Sequence, residues 1–461
     1  SHRLHGRVKK KSKNKTKNNK MEVSMKRKVL ALLLGVAMAF GMTSAAFAEE
    51  VITNEDGTVE NPEAVQVDEN KLVMWSLFSG GDGGFMDQII ADYNAGSPAK
   101  EVQSIMLVWA DYYTKLTTAV ATGNGPDIGI SHASRISNLI NDGVIEPLNP
   151  YLDELGIDLT ESYSEKAINA VSDADGNIYA VPLDTHAEVL YYNLDILEKA
   201  GVEVSEDGTL DIKNVDDFNG ICEKIKAVMG EGESAVSITS KDDDPWRVFW
   251  ATYNQMGGSP ILTDDWSAAN MDKETAKKAA EFVKSIYDNG YALTGIEDHQ
   301  KFFQAGSAGL LIGGTWARGA LEQTESLNFG EMPWPQLFDQ PAVFADQHTF
   351  ILPVNPNRTE EESVAAVQFM ISASRDGGAI WAQSGQIPAC KQVVESEEFL
   401  ALPGRANLVS ILDNAAYTYS CPTTQAIETD MKNSLNEYWA GSIDADTLVD
   451  YLVEAIENNL P

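Results

Sequence analysis

The sequence predicts an α/β protein of two lobes. Three observations carry that expectation. From Lys71 onward, short apolar strand-like runs alternate with stretches of helical spacing, the order expected of α/β layers around a largely parallel sheet. About 390 residues follow that point, more than one hydrophobic core accommodates. Several strand-like runs also end in loops of one composition, small polar residues with an acid or an aromatic, and open α/β sheets bind ligands at such strand exits.

The elements follow in order. The first twenty-eight residues end in SMKRK and hold twelve of the 34 Lys and Arg with one acid. The run VLALLLGVAMAFGMTSAAFA comes next and closes on Ala46, Phe47 and Ala48, an Ala-x-Ala site. Basic, apolar, then small is the order of a secretory signal, so 1–48 reads as an N-terminal extension and signal peptide cut after Ala48. Residues 1–24 exceed what a signal's basic region needs and are set aside. The stretch 49–70 carries eight acids and no Lys, Arg or aromatic, which predicts a flexible acidic leader.

Beyond it, KLVMWSL, VQSIMLV and DIGIS read as strands, separated by FMDQIIADYN and YYTKLTTAVATG with helical spacing. The same texture continues in GNIYAVPLD, EVLYYN, SAVSITS, AGLLIGG and HTFILPV, and from Thr359 onward the chain reads as mostly helical.

Charge and cysteine usage narrow the class. Without residues 1–48 the chain has 22 Lys and Arg against 68 Asp and Glu, a net charge of −46. Such a surface repels nucleic acid and anionic lipid. It also makes any single pair of carboxylates poor support for catalysis. Cys222, Cys390 and Cys421 show no CxxC spacing; one disulfide is open to them in an oxidising compartment. No cysteine follows the signal run, so no lipid attachment is expected, and the mature chain reads as soluble, in the periplasm or outside the cell.

Enzyme signatures are missing: there is no GxSxG, HExxH or GxxxxGK[ST]. The histidines His132, His186, His299 and His348 stand far apart without ligand spacing, so no metal site is expected from them. GGTWARG, residues 313–319, follows an apolar run but lacks the GxGxxG fingerprint and any Lys to meet a phosphate. What it presents at a helix start is Trp316. Trp75 and Trp381 read as core. Trp316, Trp109 and Trp246 stand instead where a strand or loop hands over to a helix. The exits FSGGDGG, WADYY, SHASR and VPLDTH combine acids, hydroxyls and aromatics. Together they suit a sugar, whose C–H faces lie on rings and whose hydroxyls need paired donors and acceptors.

NGPDIGISHASRISNLINDGVIEPLNPYL, GNIYAVPLDTHAEVLYYNLDILEKAG and FFQAGSAGLLIGGTWARGALE, in that order, resemble successive hallmarks of the family 1 extracellular solute-binding proteins of ABC importers, which include the maltose-binding type. The resemblance runs from about Lys71 to the C-terminus. It implies a two-lobe, class II periplasmic-binding-protein-like fold, with the chain crossing between lobes more than once and the ligand in the interlobe cleft. The lobes are expected at 71–182 plus 300–354 and at 183–299 plus 355–461. Carried over by motif, the resemblance offers Ser79 and Asp82, Trp109, then Ser131, His132 and Ser134. Further along it offers Asp184 and His186, Trp246, Trp316 with Arg318, and His348. The segment at Ser131–Ser134 departs from the maltose-binding pattern.

The function implied is a non-enzymatic receptor that captures a mono- or oligosaccharide by interlobe closure and delivers it to the membrane subunits of an ABC permease. It would act as a monomer, without cofactor or metal. The same fold with a polyamine, metal ion or phosphate ester as cargo, and a secreted glycoside hydrolase, are the other readings.

Overall fold

A computed structural model describes residues 49–461; the signal segment expected over 1–48 lies outside them. Val51–Pro461 forms one compact unit, and it contains two sheets. The chain lays down β1 (Leu72–Ser76), β2 (Val102–Met106), β3 (Ile128–His132) and β4 (Ala180–Pro182), then crosses into β5 (Asp184–Asn193). It continues through β6 (Ser234–Ser237), β7 (Ala308–Gly314), β8 (Phe329–Pro333) and β9 (Val343–Asp346). It returns in β10 (His348–Ile351), and the short strands β11 (Ile387–Pro388) and β12 (Ala415–Tyr417) come last.

The first sheet has the order β2-β1-β3-β10-β4, and the second β12-β9-β5-β7-β6; β8 also pairs Val189–Asn193 of β5, on the edge opposite β7, and β11 pairs its first two residues. All ten residues of β5 are buried, as a central strand covered on both faces requires.

The expected largely parallel sheet is corrected to two mixed sheets. β1 is parallel to β2 and β3, but β10 runs antiparallel to β3 and β4. β5 is antiparallel to β7, β8, β9 and β11. The reason is the crossing itself: β10 enters the first sheet from the second and runs against its neighbours.

The two hydrophobic cores also divide the chain differently from the expected boundaries. One gathers residues from Val59 to Leu183 and from Phe350 to Cys390, including Phe369 and Trp381. The other gathers Ala187 to Ala345, then Ala382, Ile387 and much of the C-terminal part from Val394 to Ile456. Residues 300–345, with Leu310, Leu311 and Ile312 of β7, therefore pack with the second sheet. The helix Glu360–Arg375 packs with the first. Apolar spacing shows that an element is buried; it does not show against which sheet.

The leader is likewise not the free segment its composition suggests. Val59 N donates to Met106 O at 2.7 Å, extending the edge beside β2, and Asp56 accepts from Thr58 N in a tight turn. Thr58, Val59 and Pro62 are buried while most of the acids face outward. Cys222, Cys390 and Cys421 are free and buried. Among the described residues no helix is long and apolar enough to cross a membrane.

Candidate functional site

A cavity of about 350 Å³ opens between the two sheets, within the size range of small-molecule sites. The first sheet supplies its strand exits: Ser79 and Asp82 after β1, Trp109 at the start of the helix Trp109–Ala121, and His132 at the end of β3. The second contributes His186 of β5, Arg247 and Trp316, and His348 opens β10. A smaller adjoining cavity shares Trp109, His132, His186 and Arg247 and adds Ser134 and Trp246. Polar ties join the halves beside it: Ser134 Oγ donates to Asp346 Oδ2 at 2.5 Å, and the hydroxyls of Ser137 and Ser420 lie 2.7 Å apart.

Strand register gathers the histidines. His348 lies directly opposite His132 on β10 and β3, and His186 lies opposite Asp346, two residues before His348. The ring centroids of His186 and His348 are 4.1 Å apart and stacked, and His132 lies 5.4 and 5.0 Å from them. Each offers a ring nitrogen within 4.8 Å of those of the other two. The sequence spacing of these residues did not predict such a set, because strand pairing rather than helical periodicity assembles it.

Asp184 underlies the cluster. Its carboxylate accepts from His348 Nδ1 at 2.9 Å, from Trp381 Nε1 at 2.8 Å and from the backbone N of His348 at 3.0 Å, with His186 Nδ1 at 3.4 Å. Burial alone would raise its pKa, but the neighbouring His348 and His186 hold it well below the usual carboxylate range. Burial likewise works against a charged His348, and Asp184 outweighs it, leaving that histidine raised. His132 and His186 are lowered, by burial first and by the other histidines next. Asp82, buried on the same wall, is raised by burial, and its Oδ1 has no hydrogen-bond partner.

Trp316 forms a platform on the opposite side. Its indole folds back over the end of β7, where a Cβ on Gly314 would lie 2.1 Å from the ring. The guanidinium of Arg247 sits 4.6 Å from the indole centroid, a cation–π contact that holds the ring from one side. Gly81 and the backbone at Gly319–Ala320 approach so closely that a Cβ on Gly81 would lie 3.1 Å from Ala320 N. The glycines of FSGGDGG and GGTWARG thus let the two halves meet at the cavity edge.

Of the sequence-derived candidates, the structure brings Ser79, Asp82, Trp109, His132, His186, Trp316 and His348 to the main cavity, and Ser134 and Trp246 to the smaller one. Trp246 is 1% exposed, stacks on Phe249 and belongs chiefly to the second core. Three candidates are corrected. Arg318 turns away from both cavities into a buried ion pair with Glu331, with Glu322 as a second partner, because β8 places Glu331 beneath it. Ser131 is fully buried between strands, its hydroxyl donating to His132 O. Asp184 is fully buried behind the histidines and reaches the cavity only through them.

Arg247 and Glu188 went unread in the sequence. Arg247 adjoins Trp246 in DDDPWRVFW, and only the helix phase of Asp243–Gln255 decides which of the two faces the cleft. Glu188 lies inside an unbroken buried strand; burial pushes its carboxyl up to about 8 against the pull of Arg247.

Residues 88–407 match the family of bacterial extracellular solute-binding proteins, and the chain belongs to that family. It is 21% identical over 355 residues to the maltodextrin-binding protein of Bacillus subtilis, covering 73% of this chain and 78% of that one. Among solved structures, a substrate-binding protein from Listeria monocytogenes in complex with cycloalternan superposes with a TM-score of 0.73 at 17% identity, over 85% of this chain and 99% of that one. A Mycobacterium tuberculosis protein in complex with glycerophosphocholine gives 0.73 at 19% identity, over 85% and 99%. These likenesses show the two-lobe fold.

Proposed function

We propose that this protein is the extracytoplasmic receptor of an ABC importer and that it captures an oligosaccharide or related sugar in the interlobe cavity. The observation that carries the reading is Trp316. Its indole face, seated on Gly314 and held by Arg247, borders a cavity whose other wall carries Trp109, Ser79, Asp82 and His132. An apolar ring face opposite hydroxyl, carboxylate and imidazole groups is the complement of a sugar. The maltodextrin-binding relative and the cycloalternan complex support the same ligand class.

Because the cavity draws on both halves, a bound solute touches both, and closure is favoured by whatever contact it makes only in the closed form. Delivery of the solute to a membrane permease is part of the same reading, and the match to the extracellular solute-binding family supports it. Isothermal titration against a panel of glycans, with a polyamine and a glycerophosphodiester as controls, tests the reading. A sugar binding one to one at micromolar affinity or tighter, about −8 kcal/mol or more negative, is expected. Binding of a control with no glycan bound overturns the carbohydrate assignment.

A further inference from the structure

We propose that His132, His186 and His348 form a binding site for a divalent transition-metal ion of the Zn²⁺ or Ni²⁺ class, with an open coordination position facing the solute cavity. The three imidazoles come from three different strands, and their ring nitrogens lie within 4.8 Å of one another. A tetrahedral ion with bonds of about 2.0–2.1 Å needs nitrogens about 3.4 Å apart. Reaching it takes His186 and His348 out of their present 4.1 Å stack, since two imidazoles on one tetrahedral ion have ring centroids about 5 Å apart.

The surrounding groups fit a metal better than a chance meeting of rings. An ionised carboxylate only accepts, so Asp184 places the protons of His348 and His186 on Nδ1 and leaves the Nε2 lone pairs for an ion. The Tyr113 hydroxyl fixes the ring of His132 from its far side. The hydroxyl oxygen accepts from the backbone N of His132 at 2.9 Å and lies 2.6 Å from Nδ1 of the same residue. Ligating histidines are typically held this way, by an outer carboxylate or oxygen on the far ring nitrogen. Asp184 is itself fixed by Trp381 Nε1 at 2.8 Å. Asp82, with an unpartnered buried oxygen, lines the same cavity as the three histidines.

Three nitrogen ligands with the cavity on the fourth side is the pattern of an ion that keeps one position for an exchangeable oxygen. In this receptor that oxygen belongs to the solute. The proposal deepens the sugar-receptor reading and rests on it only for what fills the open position; the metal site stands on the histidines themselves.

The test is titration of chelator-treated, tag-free protein with ZnCl₂, NiCl₂ and MgCl₂, each alone. One Zn²⁺ or Ni²⁺ per chain is expected, with no saturable Mg²⁺ uptake, and Co²⁺ should give visible d–d absorption. His186→Ala should weaken binding roughly 100-fold, and Asp184→Asn, which removes no ligand, by about 10–100-fold. If Asp184→Asn does not fold, Tyr113→Phe serves as the positioning variant. No saturable Zn²⁺ or Ni²⁺ binding, or binding unchanged in His186→Ala, overturns the site. Repeating the glycan titration on chelator-treated and Zn²⁺-loaded protein separates the two claims. Sugar bound with no metal uptake leaves the receptor reading and removes the metal site; metal bound with no sugar in either state does the reverse.

Discussion

The carboxylate of Asp184 lies 2.9 Å from Nδ1 of His348, across 164 positions of sequence. The contact sits where the chain passes between the sheets twice, from β4 to β5 and from β9 to β10. Each crossing contributes one partner, so the groups that shape the cavity are also the groups that join its two halves. The properties below follow from that placement and from its neighbours.

Trp316→Ala should weaken binding of the sugar found by titration several-fold to about tenfold, since aromatic contacts of this kind are worth roughly 0.5–1.5 kcal/mol beyond the area they bury. The ligand-free melting temperature should change little. A large loss of stability with affinity unchanged would make Trp316 a packing residue. Gly314→Ala should mimic the binding defect, because its new Cβ cannot coexist with the indole in its present place. Displacement of the ring would appear as a shift in tryptophan fluorescence.

Arg318→Met should behave oppositely. It leaves Glu331, fully buried, without its cation, and breaking such a pair costs about 3–5 kcal/mol. Calorimetry should show a clear drop in melting temperature, while titration of the folded fraction gives nearly the affinity of the unaltered protein.

Glu188 gives stability a pH dependence. Its folded pKa is raised to about 8 from an ordinary 4.5, so the folded state holds the proton more tightly. Its contribution is full below about 4.5 and is lost as pH rises through about 8. Denaturant midpoints measured across that range should fall with pH by up to a few kcal/mol in free energy on account of this group. Glu188→Gln should flatten that part of the profile. An unchanged slope would mean that Arg247 keeps the carboxylate ionised throughout, against burial and the repulsion of Asp243 and Asp244.

Much of this was legible before the fold was seen, and the rest was not for definite reasons. β1, β3 and β7 were readable because each is a short apolar run closed by a Gly-containing or polar exit, and those exits carry Asp82, His132 and Trp316. The partition of β7 and of the helix Glu360–Arg375 between sheets was hidden, since apolar spacing says nothing about the partner. Arg318 and Arg247 were exchanged for a related reason. Both stand beside a tryptophan at a helix start, and only three-dimensional phase sends one to Glu331 and the other over the indole. The histidine cluster was invisible because strand register, not sequence interval, brings its members together.

The three free cysteines are distributed between the cores: Cys390 lies in the first, Cys222 and Cys421 in the second. A buried thiol is silent to alkylation until its surroundings open. The native chain therefore carries a reporter in each half, and the order in which they become reactive in mild denaturant, followed by peptide mass spectrometry, would reveal whether the halves melt together or one after the other.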